Sequence, residues 1–211
     1  MYYVCVSDLT AKISSLGIPQ VVLQFVSITP ILYFQSNFFS FFHQVWDIPN
    51  KRIRNKFKSH RKSVESVDFS PNGRFIVSAS SDKTVRIWDM RDGSARIFSD
   101  SAQGLLSVRF SPNGQYIVAG NSGGVLMMWN VRTGHLLDKW YGHQCVVLNV
   151  AFTPDGKGLV SGSGDGAVKY WDVSLLGLFQ PAGGSAATEI LEYKGHVVCL
   201  APSFNPCSTV I

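Results

Sequence analysis

Two groups of residues carry the side chains of a charge-relay hydrolase. His60, Ser78 and Asp82 form the first, with Trp88 a few residues on. His143, Ser161 and Asp165 form the second, followed by Trp171. A histidine beside a serine can take its hydroxyl proton and make it a nucleophile, while a carboxylate orients the imidazole. The spacing argues against that chemistry. The two sets superpose after a shift of 83 residues, from His60 to His143. A catalytic triad is not copied at a fixed offset, and no nucleophile-elbow motif surrounds either serine. The repetition points instead to a structural role, in which these side chains can pair with one another. An indole N–H only donates, a serine accepts it and donates onward, and the histidine passes the chain to the aspartate. Such a network is stabilising only when every member is paired. One unpaired buried member costs about 1–3 kcal/mol.

Other candidate chemistry dissolves on the same scrutiny. Gly162-Ser163-Gly164-Asp165-Gly166 resembles a phosphate-binding loop, but it lacks the Lys-Ser/Thr pair and no helical pattern follows, so it reads as a tight turn. Cys5, Cys145, Cys199 and Cys207 form no CxxC and have no histidines at zinc spacing. They read as reduced, intracellular thiols without a disulfide framework. The sequence therefore predicts no catalytic residue, no metal and no cofactor.

The elements that position these residues recur. Trp46, Trp88, Trp129 and Trp171 stand 42, 41 and 42 residues apart, each followed by Asp or Asn. A turn triplet keeps the same period: Pro71-Asn72-Gly73, Pro112-Asn113-Gly114 and Pro154-Asp155-Gly156. A fixed period of this length marks a repeat architecture. Within one repeat, VESVDF (64–69), RFIVSA (74–79), TVRIWD (84–89) and ARIFS (95–99) read as four strands, rich in Val, Ile, Phe and Trp and separated by turn residues. Four strands per repeat is one propeller blade. In the middle repeat Ser101, Ala119 and Gly123 replace the His, Ser and Asp, and only Trp129 remains. That blade is expected to be the loosest.

The motifs SH at 59–60, VRIWD at 85–89, GH at 142–143, VKYWD at 168–172 and GH at 195–196 resemble WD40 repeats over residues 44–196. The resemblance implies an all-β fold, a partial WD40 β-propeller with three complete four-stranded blades and remnants at both ends. KRIRNKFKSH, VDFSPNGRFIVSASSDKTVRIWD and VAFTPDGKGLVSGSGDGAVKYWDV look more narrowly like the C-terminal propeller of the fungal Tup-type, Groucho-like transcriptional co-repressors. This implies a nuclear scaffold that is recruited by DNA-bound repressors, binds their peptide segments, contacts chromatin components and does not read DNA sequence. The alternatives are a cytoplasmic or nuclear WD40 scaffold of another kind, such as a ubiquitin-ligase substrate receptor or an RNA-processing subunit, or a truncated fragment without function. The blade pattern places partner-binding candidates after the GH positions and beside the turn aspartates: Arg61, Lys62, Ser81, Gln103, Ser122, Gln144 and Gly164.

The ends depart from the pattern. Residues 1–43 carry only two charges, Asp8 and Lys12, and show no amphipathic heptads. Gly17 to Phe42 is uncharged, but Pro19, Gln20, Gln24, Pro30, Gln35 and Asn37 interrupt it, so no membrane anchor is expected. NFFSFFHQ (37–44) has the residues of a translated pyrimidine-rich intron end, and residues 1–43 are expected to be a non-domain segment of that origin. The propeller portion is expected over 44–211, with a flexible Gly/Ala/Ser insertion at 174–188 and a divergent tail at 197–211. The family ring has seven blades. A chain with three would leave end faces uncovered and is expected to self-associate. Net charge is +5, with seven basic residues in 51–62. That cluster reads as a solvated edge strand guarded by Lys and Arg, or as an import signal, a nucleic-acid patch or a patch for acidic partners.

Overall fold

The turns of the repeat set where its strands begin. Before each Pro-Asn-Gly or Pro-Asp-Gly triplet stands a Ser or Thr whose hydroxyl donates to the Asn or Asp and accepts a backbone N–H across the turn. Ser70 does this with Asn72 and Phe75, Ser111 with Asn113 and Tyr116, and Thr153 with Asp155 and Gly158. Gly73, Gly114 and Gly156 take φ of 66°, 69° and 71°, the left-handed region that side chains disfavour. The residue after each tryptophan makes the next turn. Asp89 accepts the Arg91 N–H, Asn130 those of Arg132 and Thr133, and Asp172 that of Ser174. This explains the Asp or Asn that follows the indole.

In the computed structural model the described residues are 23–24, 32–36, 42–47, 52–174 and 188–194. Every regular element among them is a strand. Sheet I holds β1 (Leu23–Gln24), β2 (Leu32–Ser36), β3 (Phe42–Asp47) and β4 (Arg52–Lys58). Sheet II holds β5 (Val64–Phe69), β6 (Phe75–Ser80), β7 (Val85–Asp89) and β8 (Ala95–Phe98). Sheet III holds β9 (Leu105–Phe110), β10 (Tyr116–Asn121), β11 (Val125–Asn130) and β12 (Leu136–Tyr141). Sheet IV holds β13 (Val147–Phe152), β14 (Gly158–Ser163), β15 (Ala167–Asp172) and β16 (Thr188–Lys194). Each is an antiparallel meander in chain order. Sheets II, III and IV are the three repeats read from the sequence, with strand ends shifted by a residue.

Two features were not anticipated. β1 pairs with β2 and β2 with β3, so sheet I takes in two strands from within residues 1–43. The fourth strand of sheet IV, β16, comes from beyond the insertion, with Val168 opposite Tyr193. Residues 175–187 of that insertion, Gly195-His196 and the tail at 197–211 lie outside the described residues.

The sheets stack through their faces, with the first strands β5, β9 and β13 side by side. In sheets II and III burial falls off at the fourth strand. All of β7 is buried, whereas β8 exposes Ala95, Arg96 and Ile97 and buries only Phe98. The seam between sheets I and II is filled by Val45, Phe57, Val67, Phe69, Ile76 and Trp88. Val77, Ile87, Leu105, Val108 and Trp129 fill the next, and Met128, Val150, Phe152, Leu159 and Trp171 the third. At each seam one aromatic of an outer strand meets the indole of the following sheet. Phe57 lies 5.0 Å from Trp88, Phe98 6.0 Å from Trp129, and Trp140 5.9 Å from Trp171, ring centre to ring centre. Such pairs add about 0.5–1.5 kcal/mol beyond the area they bury.

Candidate functional site

The first Ser/His/Asp set has the distances of a catalytic triad. Ser78 Oγ lies 2.8 Å from His60 Nε2, and His60 Nδ1 lies 2.8 Å from Asp82 Oδ2. The Trp88 indole donates to Ser78 Oγ at 2.9 Å. The serine hydroxyl therefore donates to Nε2, and Nδ1–H donates to the carboxylate. Burial lowers the His60 pKa against the opposing pull of Asp82, which suits a neutral ring. Burial raises the Asp82 pKa less than its hydrogen bonds lower it, and it settles at about 2. The donors are the Thr84 hydroxyl, the Arg61 N–H and His60. Arg86 stands 3.8 Å from the same carboxylate and also donates to Ser59. Ser78 is 0% exposed and His60 4%. No substrate carbonyl can approach Ser78 Oγ. Triad geometry here pins β6, β7 and the strand-entry loop together inside a sheet.

The second set repeats the inner half of this arrangement and relaxes the outer half. His143 Nε2 lies 2.7 Å from Ser161 Oγ, and Trp171 donates to the same hydroxyl at 2.8 Å. His143 Nδ1 and Asp165 are 3.9 Å apart, beyond a hydrogen bond, and Asp165 accepts the Gln144 N–H at 3.3 Å. Ser161 is also 0% exposed.

The middle repeat has a different network rather than none. Trp129 is fully buried, and its indole donates to Asp100 Oδ2 at 2.7 Å. Asn121 accepts the N–H groups of Gly123 and Val125 and donates to Ser101. The expected looseness of this sheet rested on missing partners, and Asp100 supplies one. Sequence reading passed over Asp100 because it sits one residue before the position that holds His60 and His143.

A second polar system joins neighbouring first strands. Val108 N–H donates to Ser66 Oγ, and Val150 N–H to Ser107 Oγ, so the same rung recurs one repeat apart. Asp68 accepts its neighbour Phe69 N–H and, across the seam, Phe110 N–H at 2.8 Å. Burial raises its pKa to about 6, although Arg109 opposes the shift.

The partner-binding candidates lie at one end of the sheets, in equivalent pairs. Backbone bonds Ser81 to Ser63, Ser122 to Gly104 and Gly164 to Val146 lace each turn to its strand-entry loop. Asp82 caps Arg61 N–H, Ser101 caps Gln103 N–H, and Asp165 caps Gln144 N–H. Arg61, Lys62, Gln103, Ser122, Gln144 and Gly164 are exposed. Ser81 is half-buried, donating to Glu65 and lying against Gly104 of the next sheet. Ser122 donates to Gln103. Among the described residues no cluster of His, Cys, Asp and Glu has metal-binding geometry, and no helix is long and apolar enough to cross a membrane.

Comparison with known proteins agrees with this architecture. The family model described as "WD domain, G-beta repeat" matches residues 51–89, 92–130 and 134–172. Ribosome assembly protein 4 of Saccharomyces cerevisiae is 53% identical over 38 residues, 18% of this chain and 7% of that protein. Protein groucho of Drosophila melanogaster is 35% identical over 63 residues, 26% of this chain and 9% of groucho. The Set1 complex component swd2 of Schizosaccharomyces pombe is 39% identical over 60 residues, 28% of this chain and 15% of swd2. The chain thus spans only a small part of each of these relatives. The recurring indoles, the turns that follow them and the three matched repeats place this chain in the WD40 family.

Proposed function

We propose that the chain is part of a transcriptional co-repressor scaffold whose strand-entry end receives peptide segments of DNA-bound repressors. WD40 domains are typically non-catalytic platforms for other proteins, and this reading names the partner. The observation that carries it is the paired, exposed set Arg61, Lys62, Gln103, Ser122, Gln144 and Gly164, held over buried polar networks. Loops carried on a rigid scaffold are where binding residues concentrate. The likeness to groucho, a single short segment, supports the co-repressor assignment. A nuclear setting follows from the same reading. Another WD40 role, in a ubiquitin-ligase substrate receptor or an RNA-processing assembly, would use the same sheets with different loop contacts.

The test is fluorescence anisotropy with labelled peptides from the interaction segments of DNA-bound repressors. Arg61→Glu with Lys62→Glu, and separately Gln103→Ala with Gln144→Ala, should each weaken binding roughly tenfold, a change of about 1.4 kcal/mol. Their melting temperatures should stay within a few degrees of the parent's. Binding that is unaffected by both pairs, or no binding to any repressor peptide, overturns the proposal.

A further inference from the structure

The basic run of strand β4 remains unassigned by the reading above, and the seam beside it differs from its neighbours. Among the described residues β4 is an edge strand, ending the order β1-β2-β3-β4. It exposes Arg54, Lys56 and Lys58 and buries Phe57. Between it and the turn after β7 runs a groove of about 450 Å³. Its walls carry Lys56, Lys58 and Arg91 beside one carboxylate, Asp92, and its floor is the packed pair Phe57 and Trp88.

The next seam shows how such a groove is closed. One repeat on from Asn55 stands Arg96, just as Phe98 stands one repeat on from Phe57. Arg96 reaches across and donates to the carbonyls of Val131 and Arg132, in the turn equivalent to 90–91. Asn55 is too short to make that crossing. The charge also changes: Ile97 occupies the position of Lys56, and Ser99 that of Lys58. In the seam between sheets II and III the crossing by Arg96 thus occupies the place that is open beside β4, and the two lysines have no counterpart.

We propose that this groove docks an extended acidic segment of a partner protein, laid along the free edge of β4. Edge strands offer unpaired main-chain donors and acceptors to an added strand, and side chains at alternate positions set specificity. Carboxylates on such a segment complement Lys56 and Arg91. The floor argues against single-stranded nucleic acid. Phe57 and Trp88 are each 3% exposed and packed against one another, so no aromatic face is offered to a base. The groove is lined by β4, Trp88 and the turn after β7, with none of the partner-binding candidates among its residues, and stands independently of the co-repressor reading.

The probe is a fluorescent peptide of alternating glutamate and valine, titrated against the full chain and compared with its glutamine counterpart and with an oligothymidylate. Wild type should bind the glutamate peptide at least roughly tenfold more tightly than the glutamine peptide. Asn55→Arg should rebuild the crossing made by Arg96 and weaken binding about tenfold, although it adds positive charge. The double variant Lys56→Gln with Arg91→Gln, both at exposed side chains, should do the same and decides the matter if Asn55→Arg does not fold. Binding by Asn55→Arg as tight as or tighter than wild type means diffuse charge attraction and overturns the proposal. So does equal affinity for the glutamine peptide, tighter binding of the oligothymidylate, or a double variant that binds unchanged.

Discussion

At the residue scale, the three side chains of a hydrolase are enclosed within a sheet, where they hold its strands together. Ser78 accepts the indole N–H while its own proton points to His60, so its oxygen is committed on both sides. The two sets differ at their outer link, and this yields a direct comparison. Asp82 accepts from His60, Thr84 and the Arg61 N–H, while Asp165 has lost the close histidine contact. Asp82→Asn should cost about 1–3 kcal/mol, the range for stranding buried partners, and Asp165→Asn clearly less, as read by urea unfolding. Equal costs would show that the 3.9 Å separation in sheet IV is immaterial. The Asp82 pKa, held at about 2, also implies that its stabilisation is complete above about pH 4 and is lost as pH falls toward 2. Asp68 behaves oppositely. Its folded pKa is raised to about 6 by burial, so the folded state binds a proton more readily than the unfolded chain. Stability should fall as pH rises from about 4 to about 6 and level off beyond, by up to about 3 kcal/mol. Asp68→Asn should flatten that slope in melts across this range. An unchanged slope would assign it elsewhere.

At the scale of the element, the turn between β6 and β7 shows how one repeat departs from the others. Gly124 and Gly166 hold φ of 78° and 81°, and Lys83 holds 72° at the same repeat position. At Gly124 a side chain would run into the His143 carbonyl, so glycine is required there by space as well as by φ. Lys83 is exposed and meets only the backbone penalty. That penalty is about 1–2 kcal/mol for a residue with a Cβ, against about 0.5–1 kcal/mol for the unfolded freedom of glycine. Lys83→Gly should therefore raise stability by about 0.5–1 kcal/mol in chemical denaturation. A loss of stability would mean that the Lys83 side chain contributes a contact that outweighs its backbone. The strands themselves were legible because the sequence signals that end them are physical: a Ser or Thr, a Pro, an Asn or Asp and a Gly at fixed places. The aromatic plugs Phe57, Phe98 and Trp140 were not read, although they recur at 41 and 42 residues. They sit in outer strands that bury one position each, which leaves no alternation to detect.

At the scale of the molecule, sheets are joined by two kinds of contact, apolar faces with an aromatic plug outside and serine or aspartate rungs between first strands inside. The period of the tryptophans made the stacking of sheets II, III and IV readable from sequence. Sheet I was only partly readable, since β1 and β2 carry neither the turn triplet nor the indole. In the middle sheet the network was sought at the positions of its neighbours, whereas Asp100 holds the Trp129 indole from one residue away. The central claim is that the buried serines support a binding scaffold. The most direct measurement is the unfolding free energy of Ser78→Ala, taken beside its rate with an activated ester. The account predicts a loss of about 1–3 kcal/mol, because the Trp88 indole and His60 Nε2 are stranded in the core, with the ester rate equal to that of the parent. Unchanged stability together with a lost ester rate would contradict it and return Ser78 to the role of nucleophile.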